Sequence, residues 1–140
     1  WKTTTVVRAA QALFTNAPNG VTGNDDLGTM SAWYVFSAIG LYPAVPGTGQ
    51  LLLHAPRFPR VELDVGDGRT LAIKALNADG RALQSIEGVR IDGKPHAPTW
   101  VDWATLRNGG SIDFKLTEGH DSAGWGTRPQ DLPTSPCAAP

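Results

Sequence analysis

The run Thr29-Met30-Ser31-Ala32-Trp33-Tyr34-Val35-Phe36-Ser37-Ala38-Ile39-Gly40-Leu41-Tyr42-Pro43 decides how the chain divides. It is apolar on nearly every side, relieved only by Ser31, Ser37 and Gly40. Such a segment predicts a helix packed on most of its faces, stopped by Gly40 and Pro43. Upstream, Val6, Val7, Ala10, Leu13 and Phe14 recur at helical spacing over residues 3–15. Thr3, Thr4 and Thr5 are candidate N-caps, and Asn16-Ala17-Pro18-Asn19-Gly20 supplies the stop. Downstream of Pro46-Gly47-Thr48-Gly49 the period changes to two. Leu51 and Leu53; Val61, Leu63 and Val65; Leu71, Ile73 and Ala75; Val89 and Ile91; and Ile112, Phe114 and Leu116 all alternate with polar neighbours. That pattern predicts antiparallel strands with one buried face, joined at Gly66-Asp67-Gly68, Asn77-Ala78-Asp79-Gly80, Asp92-Gly93 and Asn108-Gly109-Gly110. Helices first and strands second is an α+β order. The strands read as a β-sandwich or half of one. The chain divides into helices over residues 1–46, an antiparallel β region over 47–120 and a Pro-rich tail over 121–140, expected to be irregular with little to bury.

Composition narrows the function. The 140 residues are 41% hydrophobic and 18% charged, a globular balance that excludes a disordered chain. Twelve Lys and Arg against 13 Asp and Glu leave a net charge of −1, with no electrostatic footprint for nucleic acid or an anionic membrane. No apolar run approaches the ~20 residues needed to cross a bilayer. Cys137 is the lone cysteine, which excludes an internal disulfide and a cysteine-based zinc site. His54, His96 and His120 lie far apart without metal-ligand spacing, so each is expected to be a surface or internally satisfied histidine. The chain opens Trp1-Lys2-Thr3-Thr4, without an initiator Met and straight into a helical pattern, as a piece of a longer protein would.

One segment carries chemistry: Gly23-Asn24-Asp25-Asp26-Leu27-Gly28, a glycine-bracketed turn ahead of the apolar helix. In the plainer reading one Asp caps the helix and the other is solvated. A calcium loop of the EF-hand type fails, because Val35 stands where its twelfth position needs a bidentate Glu. In the functional reading an Asp facing a water draws off its proton during attack on a substrate, with paired acids raising one pKa. Trp33 and Tyr34 follow within about two helical turns and are candidates to stack on a sugar ring, the alternative being core packing.

The stretch Gly23 to Pro43 closely resembles the signature near the C-terminal end of glycoside hydrolase family 92, calcium-dependent inverting exo-α-mannosidases that often act on α-1,2 linkages. The likeness continues through Pro46-Gly47-Thr48-Gly49, Ala55-Pro56-Arg57-Phe58 and Asn108-Gly109-Gly110 to Trp125-Gly126, covering roughly residues 3–126. The resemblance implies the terminal helices of an (α/α)6 toroid followed by β-sandwich structure. It implies Asp26 as the general base, with Asp25 contributing, and Ca2+ held mostly by segments outside this chain. Where some members carry a second acid, this chain has Asn24, which positions a water but does not deprotonate it at neutral pH. Two further departures fall in the β part, Trp103 in place of His and His54 in place of Gly. The general acid of the family lies well upstream. Glu62, Glu87 and Glu118 lie in the strand region, where the family has none.

The resemblance therefore implies part of a secreted or periplasmic α-mannosidase acting on mannose-containing glycans, supplying the base, lacking the acid and needing the N-terminal part of the same protein. The alternative is a non-catalytic carbohydrate-binding or interdomain β-module whose sugar-binding face is lined by Trp100, Trp103 and Trp125. A third possibility is another toroidal carbohydrate enzyme, such as a phosphorylase.

Overall fold

A computed structural model of the protein describes residues 2–43, 45, 47–80, 83–119 and 124–133. Pro46, His120, Asp121 and Cys137, on which some sequence expectations fall, lie outside the described residues, as do Trp1 and residues 134–140. Two helices come first, α1 (Lys2–Gln11) and α2 (Thr29–Ile39). There follow β1 (Leu41–Tyr42), β2 (Gln50–Leu53), β3 (Arg60–Asp64), β4 (Thr70–Lys74), β5 (Gln84–Ile91), β6 (Lys94–His96) and β7 (Trp100–Asp102). A one-turn helix, α3 (Trp103–Leu106), leads into β8 (Gly110–Glu118), and a 3-10 turn spans Pro129–Asp131.

The strands form two sheets, ordered β1-β2-β7 and β3-β4-β8-β5-β6. The alternating residues point where period two puts them: Leu51 and Leu53 on β2, Leu71 and Ile73 on β4, and Ile112, Phe114 and Leu116 on β8 are all buried. With Ile39, Leu41, Val101 and Leu106 they build one apolar cluster that draws on both sheets and on the end of α2. The expectation of a wholly antiparallel region needs correction, because β4 and β8 run parallel, with Ile73 opposite Ile112. A parallel pair requires a long crossover, and here β5, β6, β7 and α3 lie between the two strands. Alternation reports which side chains are buried and is silent on strand direction.

A second correction concerns the helices. The apolar stripe of α1 does not face the sheets: Val6 is 68% exposed, and Leu13, just past its end, 63%. The buried side chains are Thr4 and Gln11, with half-buried Arg8 on the same face. On α2, Val35 is 57% exposed and Phe36 also open, and only Ser37, Ala38 and Ile39 are buried. The α2 helix, predicted to be packed on most sides, is fully buried only along its last turn, with Met30, Trp33 and Tyr34 half-buried. A third correction falls on the tail. Asp131 is buried, accepts from both the Nε and Nη2 of Arg128 at 2.9 Å, and its carbonyl accepts the Thr99 N–H at 2.7 Å.

Polar contacts join α1, α2 and the segment after β2. Gln11 Nε2 donates to Ser37 Oγ at 2.8 Å, and Ser37 Oγ donates to the Tyr34 carbonyl at 2.9 Å. Arg8 Nη2 donates to the Pro56 carbonyl at 3.0 Å, while Arg8 and Arg57 both donate to Gln11 Oε1. His54, 1% exposed, sets its Nε2 2.8 Å from the Ser37 carbonyl. Because a carbonyl only accepts, that nitrogen carries the proton, and Nδ1 keeps a lone pair with no partner among the described residues. Gly40 makes the close approach of these segments feasible. It sits at φ 89°, and a Cβ there would lie 2.8 Å from the His54 carbonyl oxygen.

Burial, helped by the nearby Arg8 charge and opposed by the Ser37 bond, lowers the His54 pKa to about 4. In the unfolded chain a histidine titrates near ~6.5. Between these values the unfolded state binds the extra proton, so the stabilisation is complete above about pH 6.5 and is lost as pH falls toward 4, by on the order of 3 kcal/mol at most. Urea unfolding followed across this window is expected to show that loss in the wild type and a flatter profile in His54→Gln, whose amide keeps a donor for Ser37. Equal slopes in the two proteins would remove His54 as the source.

Candidate active site

The turn ahead of α2 has an unusual backbone. Asp26, Leu27 and Gly28 take φ of 40°, 62° and 90°, three left-handed residues in succession. For residues other than glycine each such conformation costs roughly 1–2 kcal/mol. Side chains and carbonyls of the turn hold it in place. The Asp25 carbonyl accepts the Thr29 N–H at 2.6 Å, and the Thr29 hydroxyl donates to the Asp26 carbonyl at 2.8 Å. Asp25 Oδ1 accepts from both the backbone N–H and the hydroxyl of Ser31, at 2.8 and 3.0 Å. Gly28, the N-cap residue, has no side chain to offer, so the carboxylate three positions earlier satisfies the first turn of α2.

This arrangement divides the acidic pair. Asp25 is half-buried and engaged with Ser31, whereas Asp26 is exposed and its carboxylate has no hydrogen-bond or ion-pair partner among the described residues. Asn24 is likewise exposed and free of such partners there. One Asp caps and the other is solvated, as the plainer sequence reading had it. Asp26 and Asn24 do not line the neighbouring groove of about 380 Å³, whose walls include Phe14, Val21, Ser31 and Tyr34. Trp33 and Tyr34 both meet Phe14, at ring-centroid distances of 5.7 and 5.0 Å, the first pair stacked at 15°. Phe14 thus serves as their common packing partner, a role its place on the sequence stripe left undefined.

The three tryptophans of the β part are not gathered on one face. Trp125 packs against the core cluster and donates its indole N–H to the His96 carbonyl at 2.8 Å. Trp100 donates to the Leu132 carbonyl at 3.2 Å. Trp100 and Trp125 line different cavities, and Trp103, 45% exposed on α3, lines neither. Glu62 and Glu87 pair with Arg60 and Lys115 on the five-stranded sheet, away from the turn. Among the described residues no three His, Cys, Asp or Glu side chains gather as a metal site, so these residues by themselves do not fit a calcium cage. No helix among them is long and apolar enough to cross a membrane.

Residues 1–118 match the model of the glycosyl hydrolase family 92 catalytic domain, and the chain belongs to that family. A protein of Arthroderma benhamiae named as an uncharacterized secreted glycosidase is 32% identical over 124 residues, covering 87% of this chain and 16% of the relative. Two solved structures from Bacteroides thetaiotaomicron share the fold. A family GH92 α-mannosidase superposes with a TM-score of 0.87 at 25% identity, and a family GH92 inverting mannosidase with 0.84 at 28%. Each alignment covers 96% of this chain and 18% of the other. The chain spans less than a fifth of the length of the relatives it matches.

The separate duties of the two aspartates are measurable. Asp25→Ala strips the acceptor from Ser31 and is expected to lower stability by about 1 kcal/mol. Asp26→Ala should stay within about 0.5 kcal/mol of the wild type, as a surface change does. Urea unfolding of both variants checks this; equal losses would mean that Asp26 also holds the helix.

Proposed function

We propose that this chain is the C-terminal part of the catalytic unit of a secreted or periplasmic exo-α-mannosidase, one that hydrolyses mannosides, α-1,2 linkages in particular, with inversion. In this reading α1 and α2 are the last helices of an (α/α)6 toroid, the sheets behind them form the β-sandwich structure, and Asp26 is the general base. One feature carries the proposal: a carboxylate with no partner among the described residues, set on strained left-handed backbone beside a second carboxylate whose Oδ1 is engaged by Ser31. Strain at a surface turn is retained where something over-determines it, and functional sites are where such residues cluster. The open apolar side chains of α1, α2 and the turn after α1 add support, since Val6, Leu13, Val35 and Phe36 suit burial against further helices.

The chemistry follows from the pair of roles. Inversion requires a base that takes a proton from water as it attacks the anomeric carbon, and an acid on the opposite side of the ring that protonates the leaving oxygen, the two carboxyl groups being about 6.5–9.5 Å apart. Asp26 takes the first role. Asn24, two residues earlier, hydrogen-bonds that water without competing for its proton. Asp25 acts through Ser31, fixing the first turn of α2 and with it the backbone from which Asp26 projects. Trp33 and Tyr34 are the proposed stacking partners of the sugar, seated on Phe14. The acid belongs to polypeptide outside this chain. So do most of the calcium ligands, and the role of Asp26 does not depend on them. The mannoside substrate is inferred from the relatives, one of which has been solved in complex with mannoimidazole.

The test uses the full-length glycosidase that carries this chain. Asp26→Asn is expected to lower kcat on an aryl α-mannoside by roughly 10²–10⁴-fold while mannose-analogue binding is kept, because a base acts in the transition state. The 140-residue chain alone should release no product. Retained turnover in Asp26→Asn, or turnover by the isolated chain, would overturn the assignment.

A further inference from the structure

The β part holds a second place with the makings of a ligand site. The strand β7 is an edge of the three-stranded sheet and β6 an edge of the five-stranded sheet. Between them lies a groove of about 390 Å³ whose walls include Lys94, His96, Trp100, Asp102 and Thr105. Val101 is buried in the core, so by strand alternation Trp100 and Asp102 share the opposite face of β7, roughly 7 Å apart along the strand. That separation is close to the width of one pyranose ring.

The groove combines a fixed aromatic ring with unused polar groups. The Trp100 indole is anchored through its N–H to the Leu132 carbonyl, and its own carbonyl lies 2.8 Å from His96 Nε2. Asp102 precedes α3 yet makes no capping bond. Neither its carboxylate nor the Lys94 ammonium has a hydrogen-bond or ion-pair partner among the described residues. A carboxylate accepts from adjacent hydroxyls, an ammonium donates to ring or hydroxyl oxygens, and an indole packs on the C–H face of a sugar. The volume falls within the range of small-molecule pockets, about 300–1,000 Å³.

We propose that this groove binds a neutral pyranose unit of a glycan, as a non-catalytic site in which Trp100 is the platform and Asp102 and Lys94 hold hydroxyl groups. Such a site holds a branched substrate near the enzyme without taking part in bond cleavage. The choice of mannan as its ligand rests on the mannosidase reading above; the groove's geometry does not.

Affinity electrophoresis of the full-length glycosidase through gels containing yeast α-mannan tests the proposal without needing turnover. The wild type and Asp26→Asn are expected to be retarded, while Trp100→Ala and Asp102→Ala should bind mannan about fivefold more weakly, a loss typical of one stacking or charged hydrogen-bonding contact. Asp102→Ala guards against misfolding, since that side chain is exposed and has no partner among the described residues. Retardation unchanged in both groove variants, no retardation of the wild type, or retardation lost in Asp26→Asn would each overturn the proposal. If Asp26→Asn keeps full turnover while the groove variants lose retardation, the base assignment fails and the groove stands.

Discussion

A buried imidazole that keeps its proton on one nitrogen ties the helical half of this chain to its sheets. His54 Nε2 donates to the Ser37 carbonyl in the last turn of α2, and Ser37 Oγ receives Gln11 from α1. Burial keeps the ring neutral, which preserves the pattern of donor at Nε2 and acceptor at Nδ1. Backbone bonds run alongside, from His54 N–H to the Gly40 carbonyl and from Arg57 N–H to the Ala38 carbonyl. The end of α2 is therefore fixed by groups from two segments distant in sequence, α1 and the stretch after β2, and its N-terminal turn extends from that fixed end. A rigid helix of eleven residues, roughly 16 Å long, then sets where the acidic turn stands.

At the turn the two aspartates differ through geometry rather than chemistry. One carboxylate, drawn back to Ser31, supplies the cap that Gly28 lacks. Its neighbour is carried outward by a left-handed backbone and left to solvent. A pair in which both acids capped would leave no free carboxylate, and a pair in which neither did would leave the helix start unsatisfied. The proposed base and the structural cap thus depend on each other along one short segment. Apolar side chains of both helices, Val6, Val35 and Phe36, remain open to solvent.

Much of this was legible in the residues. Period two located β2, β3, β4, β5 and β8, and it identified Leu71, Ile73, Ile112, Phe114 and Leu116 as core. The short elements were not legible: β1, β6 and β7 have two or three residues each, too few for any period to register. Pro95 lies within β6, and an edge position is where a sheet tolerates it. The order in the segment after residue 123 escaped because it depends on tertiary partners, a buried Asp131 paired with the exposed Arg128 and bonded to Thr99, in a stretch whose composition suggested little to bury.

The sequence by itself determined the local matters: which strand residues face inward, where the chain turns, and that Asn24, Asp25 and Asp26 stand on a glycine-bracketed turn. These follow from side-chain periodicity and from the conformational limits of glycine and proline, which act over a few residues. Only the tertiary structure decided that β4 and β8 run parallel, that α1 turns a polar face toward the rest of the chain, that Phe14 underlies Trp33 and Tyr34, and that Asp25 rather than Asp26 is engaged. Each of those depends on a partner that folding brings near, or on a backbone angle that the residue type permits without requiring, and no local pattern encodes which partner arrives.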